Sequence, residues 1–161
     1  MSAGDLCGDP YPKRIACLCT EAVEVLYALG EADRIAGISG FTVRPPEARR
    51  DKPKISGFST GKLERILAVE PDLVLAFSDL QADMCRDLVR AGVEVHVFNQ
   101  RSIAGILRMI VTTGALVGRA AEAQALVDDL QRYDTQELDL PDDFGIQRAA
   151  IEATPSTPAL A

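Results

Sequence analysis

The chain contains no tryptophan, one histidine and few aromatics, and its charge is not of the basic sign. Each shortage excludes something. The formal charge is −7, and it is unevenly placed. After Tyr133 stand Asp134, Glu137, Asp139, Asp142, Asp143 and Glu152 against Arg148 alone, which leaves the preceding body close to neutral. Such a body gives no electrostatic footing for a phosphate backbone, so no nucleic-acid partner is expected. No apolar run approaches the roughly 20 residues that span a bilayer, so no direct membrane insertion is expected. The opening "MSAGDLCGDPYPKR" lacks a basic segment followed by an apolar one, and no apolar run precedes Cys7. It therefore reads as neither a signal peptide nor a lipoprotein anchor. Cys7, Cys17, Cys19 and Cys85 are then expected to be reduced thiols in a cytoplasmic protein.

Catalytic and cofactor motifs are also scarce. "ISGFSTGKLERI" (55–66) has glycines and a lysine ahead of a helix, as a phosphate loop does. Yet Gly57 and Gly61 are one residue too close, and Leu63 stands where a magnesium-binding hydroxyl is required. No G-x-G-x-x-G follows a strand. The cysteines lack the spacing of a structural zinc site, so no metal site is expected. His96, between Val95 and Val97, reads as a structural histidine on a strand face shared with Glu94 and Phe98. Cys19, at a helix start, is open to two readings: a core residue, or a thiol of lowered pKa serving a small α/β enzyme.

What is present is periodicity. Apolar runs at 14–18, 34–38, 72–77 and 93–98 read as four strands. Ala22, Val25, Leu26 and Leu29 follow helical spacing, with Thr20 as N-cap and Gly30 as stop. Ser78 and Gln81 form a capping-box pattern. Ile103, Ile106, Leu107 and Ile110 mark a further helix, followed by another over roughly 119–133. Between Ser39 and Gly61 the periodicity lapses into an expected loop of more than 20 residues. Alternation of strands and helices predicts a single Rossmann-like α/β lobe: a four-stranded, mainly parallel sheet flanked by helices and ending in a long helix. The expected divisions are a flexible 1–12, a lobe over 13–133, and an acidic, then Pro/Thr/Ala-rich tail over 134–161, expected to be disordered.

In a parallel open sheet, ligands gather beyond the carboxyl ends of the strands. Cys19 and Thr20, Ser39 to Phe41, Phe77 and Ser78, and Phe98 to Gln100 all fall there. Phe77 and Phe98 read as core. Phe41 and Phe58 each follow a glycine in a loop, and either pin that loop or contact a ligand.

The segments "RPPEAR", "LERILAVEPDLVL" and "SIAGIL…GALVG" carry a resemblance. Over residues 13–133 the chain resembles the amino-terminal lobe of the helical-backbone (class III) substrate-binding proteins of ABC importers for cobalamin, haem and iron-siderophores. The resemblance implies a non-catalytic binding protein. Its ligand, cobalamin or a ferric siderophore, would be held without covalent attachment. It implies ligand contact by Phe41 and Phe58; Ser59 beside Phe58, and Ser78 and Asn99 at the strand ends, are the further ligand-binding candidates. It also implies that Glu64 docks on the transporter's membrane subunits. The family usually works in the periplasm or at the cell surface and has a second lobe. Here the pattern after Tyr133 does not continue into one, and the tail reads as a truncation or an altered frame. The alternatives to this reading are a cytoplasmic enzyme using Cys19 and a non-catalytic interaction domain.

Overall fold

The computed structural model describes residues 9–57 and 62–137, with side chains through Arg132. It divides into two units, residues 1–127 and 128–161. Within the first unit the chain runs β1 (Ile15–Cys17), α1 (Thr20–Ala28), β2 (Ile35–Ser39), α2 (Pro46–Asp51), β3 (Lys54–Ser56) and α3 (Leu63–Leu67). It continues through β4 (Leu73–Phe77), α4 (Ala82–Arg90), β5 (Glu94–Phe98), α5 (Ile103–Leu116) and α6 (Ala120–Glu137), whose last ten residues belong to the second unit.

The sheet is wholly parallel, in the order β3-β2-β1-β4-β5. Side-chain alternation gives it two buried faces. Ile15, Cys17, Leu73, Leu75 and Phe98 join Val23 and Leu26 of α1, Met109 and Ile110 of α5, and Ala123 and Val127 of α6 in one cluster. Ala16, Val74 and Ile55 join Ile66 of α3 and Leu88 of α4 in the other. A strand buried on both sides has to be apolar at every position, which explains the unbroken "LVLAF" of β4. Gly30 and Gly92 end α1 and α4 with φ of +74° and +84°, a conformation that costs glycine little.

Three expectations are corrected. The sheet has five strands, because the stretch expected as a loop contains α2 and β3. Both elements are short and polar: Pro46 opens α2, Ala48 is its one buried residue, and Ile55 is the one buried residue of β3. Neither is long enough to display a period. At α1 the N-cap is Cys19, without a side-chain cap bond, and Thr20 is the first helical residue. The hydroxyl of Thr20 donates to the Glu21 carboxylate at 2.9 Å. The Ser78/Gln81 box is displaced by one residue. Ser78 Oγ accepts from Leu80 N, and Gln81 Oε1 accepts from Phe77 N, across a 3-10 turn that precedes α4. The tail expected to be disordered lies, from residue 138 onward, outside the described residues.

Candidate functional site

Five parallel strands deliver their carboxyl ends to one rim. The strand order reverses direction between β1 and β4, which is where such sheets open a crevice. In this chain that crevice is filled. Gln81, buried, accepts from Phe77 N at 2.9 Å through Oε1 and donates to Leu18 O at 3.4 Å through Nε2. The amides of Leu18 and Cys19 both donate to Leu75 O, at 2.8 and 3.0 Å. Protein thus bridges the ends of β1 and β4, and the loops above the sheet form the accessible surface of the rim. The sequence pattern pointed to Gln81 as part of a cap; its bridging role depends on the pairing of β1 with β4, which no local spacing encodes.

The loop after β2 is tightly braced. Gly40 N donates to Ser56 O at 2.7 Å, Phe41 N to Ser39 Oγ at 3.3 Å, and Thr42 N to Ser39 O at 3.0 Å. Arg49 of α2 donates to the carbonyls of Gly40 and Thr42. On this fixed backbone the Phe41 side chain is 62% exposed. An aromatic held outward on a rigid loop presents contact area that needs little ordering on binding.

The other side of the rim is polar and connected. Arg101 Nε donates to Asn99 Oδ1 at 3.1 Å, and Arg101 Nη2 lies 3.4 Å from Asp79 Oδ1. Its guanidinium lies 5.9 Å from the centre of the Phe77 ring, a cation–π distance. Asn99 is exposed. Ser78 is buried, with φ of +58°, and its amide donates to Phe98 O at 2.7 Å. Its hydroxyl is thus engaged in shaping the turn that lifts Leu80 to the surface. Arg101 was not singled out in the sequence, since only the fold brings it over Phe77.

Phe58 and Ser59 lie outside the described residues. Glu64 is exposed in the first turn of α3, whose Leu63, Ile66 and Leu67 pack inward. Crossover helices run against their strands, so the start of α3 faces the same rim. Phe98 is core, and Phe77 is half-buried against the core. His96 meets Phe98 edge-on at 4.5 Å, and burial lowers its pKa.

Neither Cys17 nor Cys19 is equipped as a nucleophile. The Cys19 thiol is almost fully buried and its pKa is pushed up to about 12, first by that burial. Burial likewise raises that of Cys17, with Cys19 adding to the effect. Among the described residues no group of three or more His, Cys, Asp or Glu could hold a metal ion. No helix among them is long and apolar enough to cross a membrane.

Residues 15–134 match the family model of the periplasmic binding proteins. A cobalamin-binding protein of Halobacterium salinarum is 30% identical over 126 residues, covering 76% of this chain and 34% of the relative. An uncharacterized ABC transporter substrate-binding lipoprotein of Bacillus subtilis is 29% identical over 124 residues, covering 74% of this chain and 39% of its own. The crystal structure of a possible iron-binding (periplasmic solute-binding) protein from Staphylococcus epidermidis superposes with a TM-score of 0.74 at 25% identity. That superposition covers 82% of this chain and 53% of the other. The chain thus spans a third to a half of the length of these proteins, and the match falls on the α/β unit just described. It belongs to the periplasmic binding protein family.

Proposed function

We propose that this chain supplies one ligand-facing lobe of an ABC-importer substrate-binding protein, with cobalamin or a ferric siderophore as the ligand, bound without covalent attachment. The observation that carries the reading is the Phe41 side chain, projecting from a loop fixed by Ser39, Ser56 and Arg49. An exposed aromatic ring offers a bulky chelate an apolar face to pack against, and polar rim groups can hydrogen-bond to its amide or hydroxamate oxygens. Asn99 and the Arg101–Asp79 pair are suited to the second task. Phe58, Ser59 and Ser78 complete the proposed contact set, with Ser78 acting through the turn it shapes. The cobalamin-binding relative supports the choice of ligand.

In the same reading Glu64 docks on a transporter membrane subunit. Its exposure, and the inward packing of its neighbours, leave its carboxylate available to a cationic partner. The family's periplasmic description and the lipoprotein relative support work on the outer side of the cytoplasmic membrane, in place of the cytoplasm expected from residues 1–14.

Calorimetric titration with cyanocobalamin and with a ferric hydroxamate tests the ligand reading. Heat of binding with either, weakened by Phe41→Ala, is the expected result. No heat with either, from this chain or from a two-lobed relative carrying it, would reject the assignment.

A further inference from the structure

The two edges of the sheet are built differently. The β3 edge is three residues long, follows Pro53, carries Lys54 and has a register shift against β2. These are devices that discourage edge-to-edge pairing. The β5 edge has none of them. It runs "EVHVF" in unbroken register with β4, without proline, lysine or bulge.

The phase of its ladder is fixed by the bond from Ser78 N to Phe98 O. Alternate residues of a parallel strand turn both backbone groups to the same neighbour. Glu94, His96 and Phe98 thus bond to β4, while Val95 and Val97 direct N–H and C=O outward. Val97 is 45% exposed. Beside this edge lies a cavity of about 250 Å³, lined by Val97 to Gln100 and by Gly105, Arg108, Met109 and Thr112 along one face of α5. Arg108 is exposed and has no acidic partner among the described residues, and exposed Glu94 at the opposite end of the strand has no basic one.

We propose that β5 pairs with β5 of a second copy of this chain, antiparallel about a two-fold axis at Val97, joining two five-stranded sheets into one. Both copies must present outward backbone groups, so odd residues face odd residues. Val97 then meets Val97 of the second copy, and Val95 meets Asn99. β5 ends at Phe98, so Glu94 of the second copy falls just past that end, next to the cavity wall formed by Gln100 and Arg108. The two-fold repeats this pairing of an unmatched acid with an unmatched base. Charge complementarity and the open edge therefore select the same partner. The inference does not draw on the ligand reading, although Asn99 takes part in both.

Sedimentation velocity on the 161-residue chain tests it. The expected species is a dimer of the 17.3 kDa chain. Val97→Pro removes an outward N–H that no ladder bond within the chain uses, and prolines are tolerated at such edge positions. It should return the chain to monomer with an unchanged circular dichroism spectrum. Arg108→Glu should weaken the dimer at least about tenfold, and adding Glu94→Arg should restore it. The charge-swap pair decides the matter even if the proline variant does not fold. A chain that stays monomeric at the highest soluble concentrations would overturn the proposal, including one that instead captures an extended peptide at this edge. So would a dimer indifferent to all three substitutions.

Discussion

Glu31 and Arg119, 88 positions apart, meet at 2.5 Å between Oε1 and Nε. The other carboxylate oxygen accepts from Arg34 Nε, also at 2.5 Å, and Arg34 reaches on to Asp9 and to Pro12 O. The buried carboxylate thus ties the start of α6 to the turn after α1. Burial pushes its pKa up, but the bonds from Arg34 and Arg119 outweigh this and hold it below the usual carboxylate value. Glu31→Gln should cost about 1–3 kcal/mol in chemical denaturation, since two guanidinium groups lose a charged acceptor. A group with a lowered folded-state pKa contributes stability above its unfolded value and loses it as pH falls through the folded one. The wild-type chain should therefore lose stability below about pH 4.5, and the Gln variant should show a shallower loss there.

Cys19 should behave as a core thiol. With its pKa near 12, almost no thiolate exists at pH 8, and access is closed besides. Iodoacetamide labelling followed by mass spectrometry should find it unmodified in the native chain and modified in denaturant. Rapid native labelling would reopen an enzymatic reading.

Gln81→Leu keeps much of the side-chain volume but removes the two side-chain hydrogen bonds that link Leu18 to Phe77, leaving the backbone bonds from Leu18 and Cys19 to Leu75 O in place. The orphaned Phe77 N–H and Leu18 C=O should cost about 1–3 kcal/mol each. Hydrogen exchange should quicken at Phe77, and a variant as stable as wild type would show that the amide does not bridge the strands.

Phe41→Ala should separate stability from binding. The side chain is mostly exposed, so the melting free energy should change by no more than about 0.5 kcal/mol. Ligand affinity should fall by about tenfold, the scale of one lost aromatic contact. A large loss of stability instead would show that the ring pins its loop.

The parts of the fold legible in the sequence were those whose periodicity matches their burial. β4 is apolar throughout because both faces are covered, and α1 and α5 show their buried stripes. α2 and β3 were illegible because each buries one side chain only. The carboxyl ends of β2, β4 and β5 fall close to where periodicity puts them, so the position of Phe41 after β2 was legible as an aromatic after a glycine. Gln81 and Arg101 were not, because their roles arise from contacts between β1, β4 and the β5–α5 loop that are distant in sequence. Ser78 was found by position, yet its hydroxyl is turned to Leu80 by a backbone conformation that sequence does not display.

The proposed resting place of a chelate ligand is the rim above the carboxyl ends of the strands. Amide chemical-shift mapping of the labelled chain during titration with cyanocobalamin, and separately with a ferric hydroxamate, tests it most directly and detects weak binding. With one of the two, shifts should cluster at Gly40 to Thr42, Ser78 and Asn99 to Arg101, and should fade in Phe41→Ala. No shifts with either, or shifts gathered at the far end of the sheet around Tyr11, Asp72 and Leu116, would contradict it.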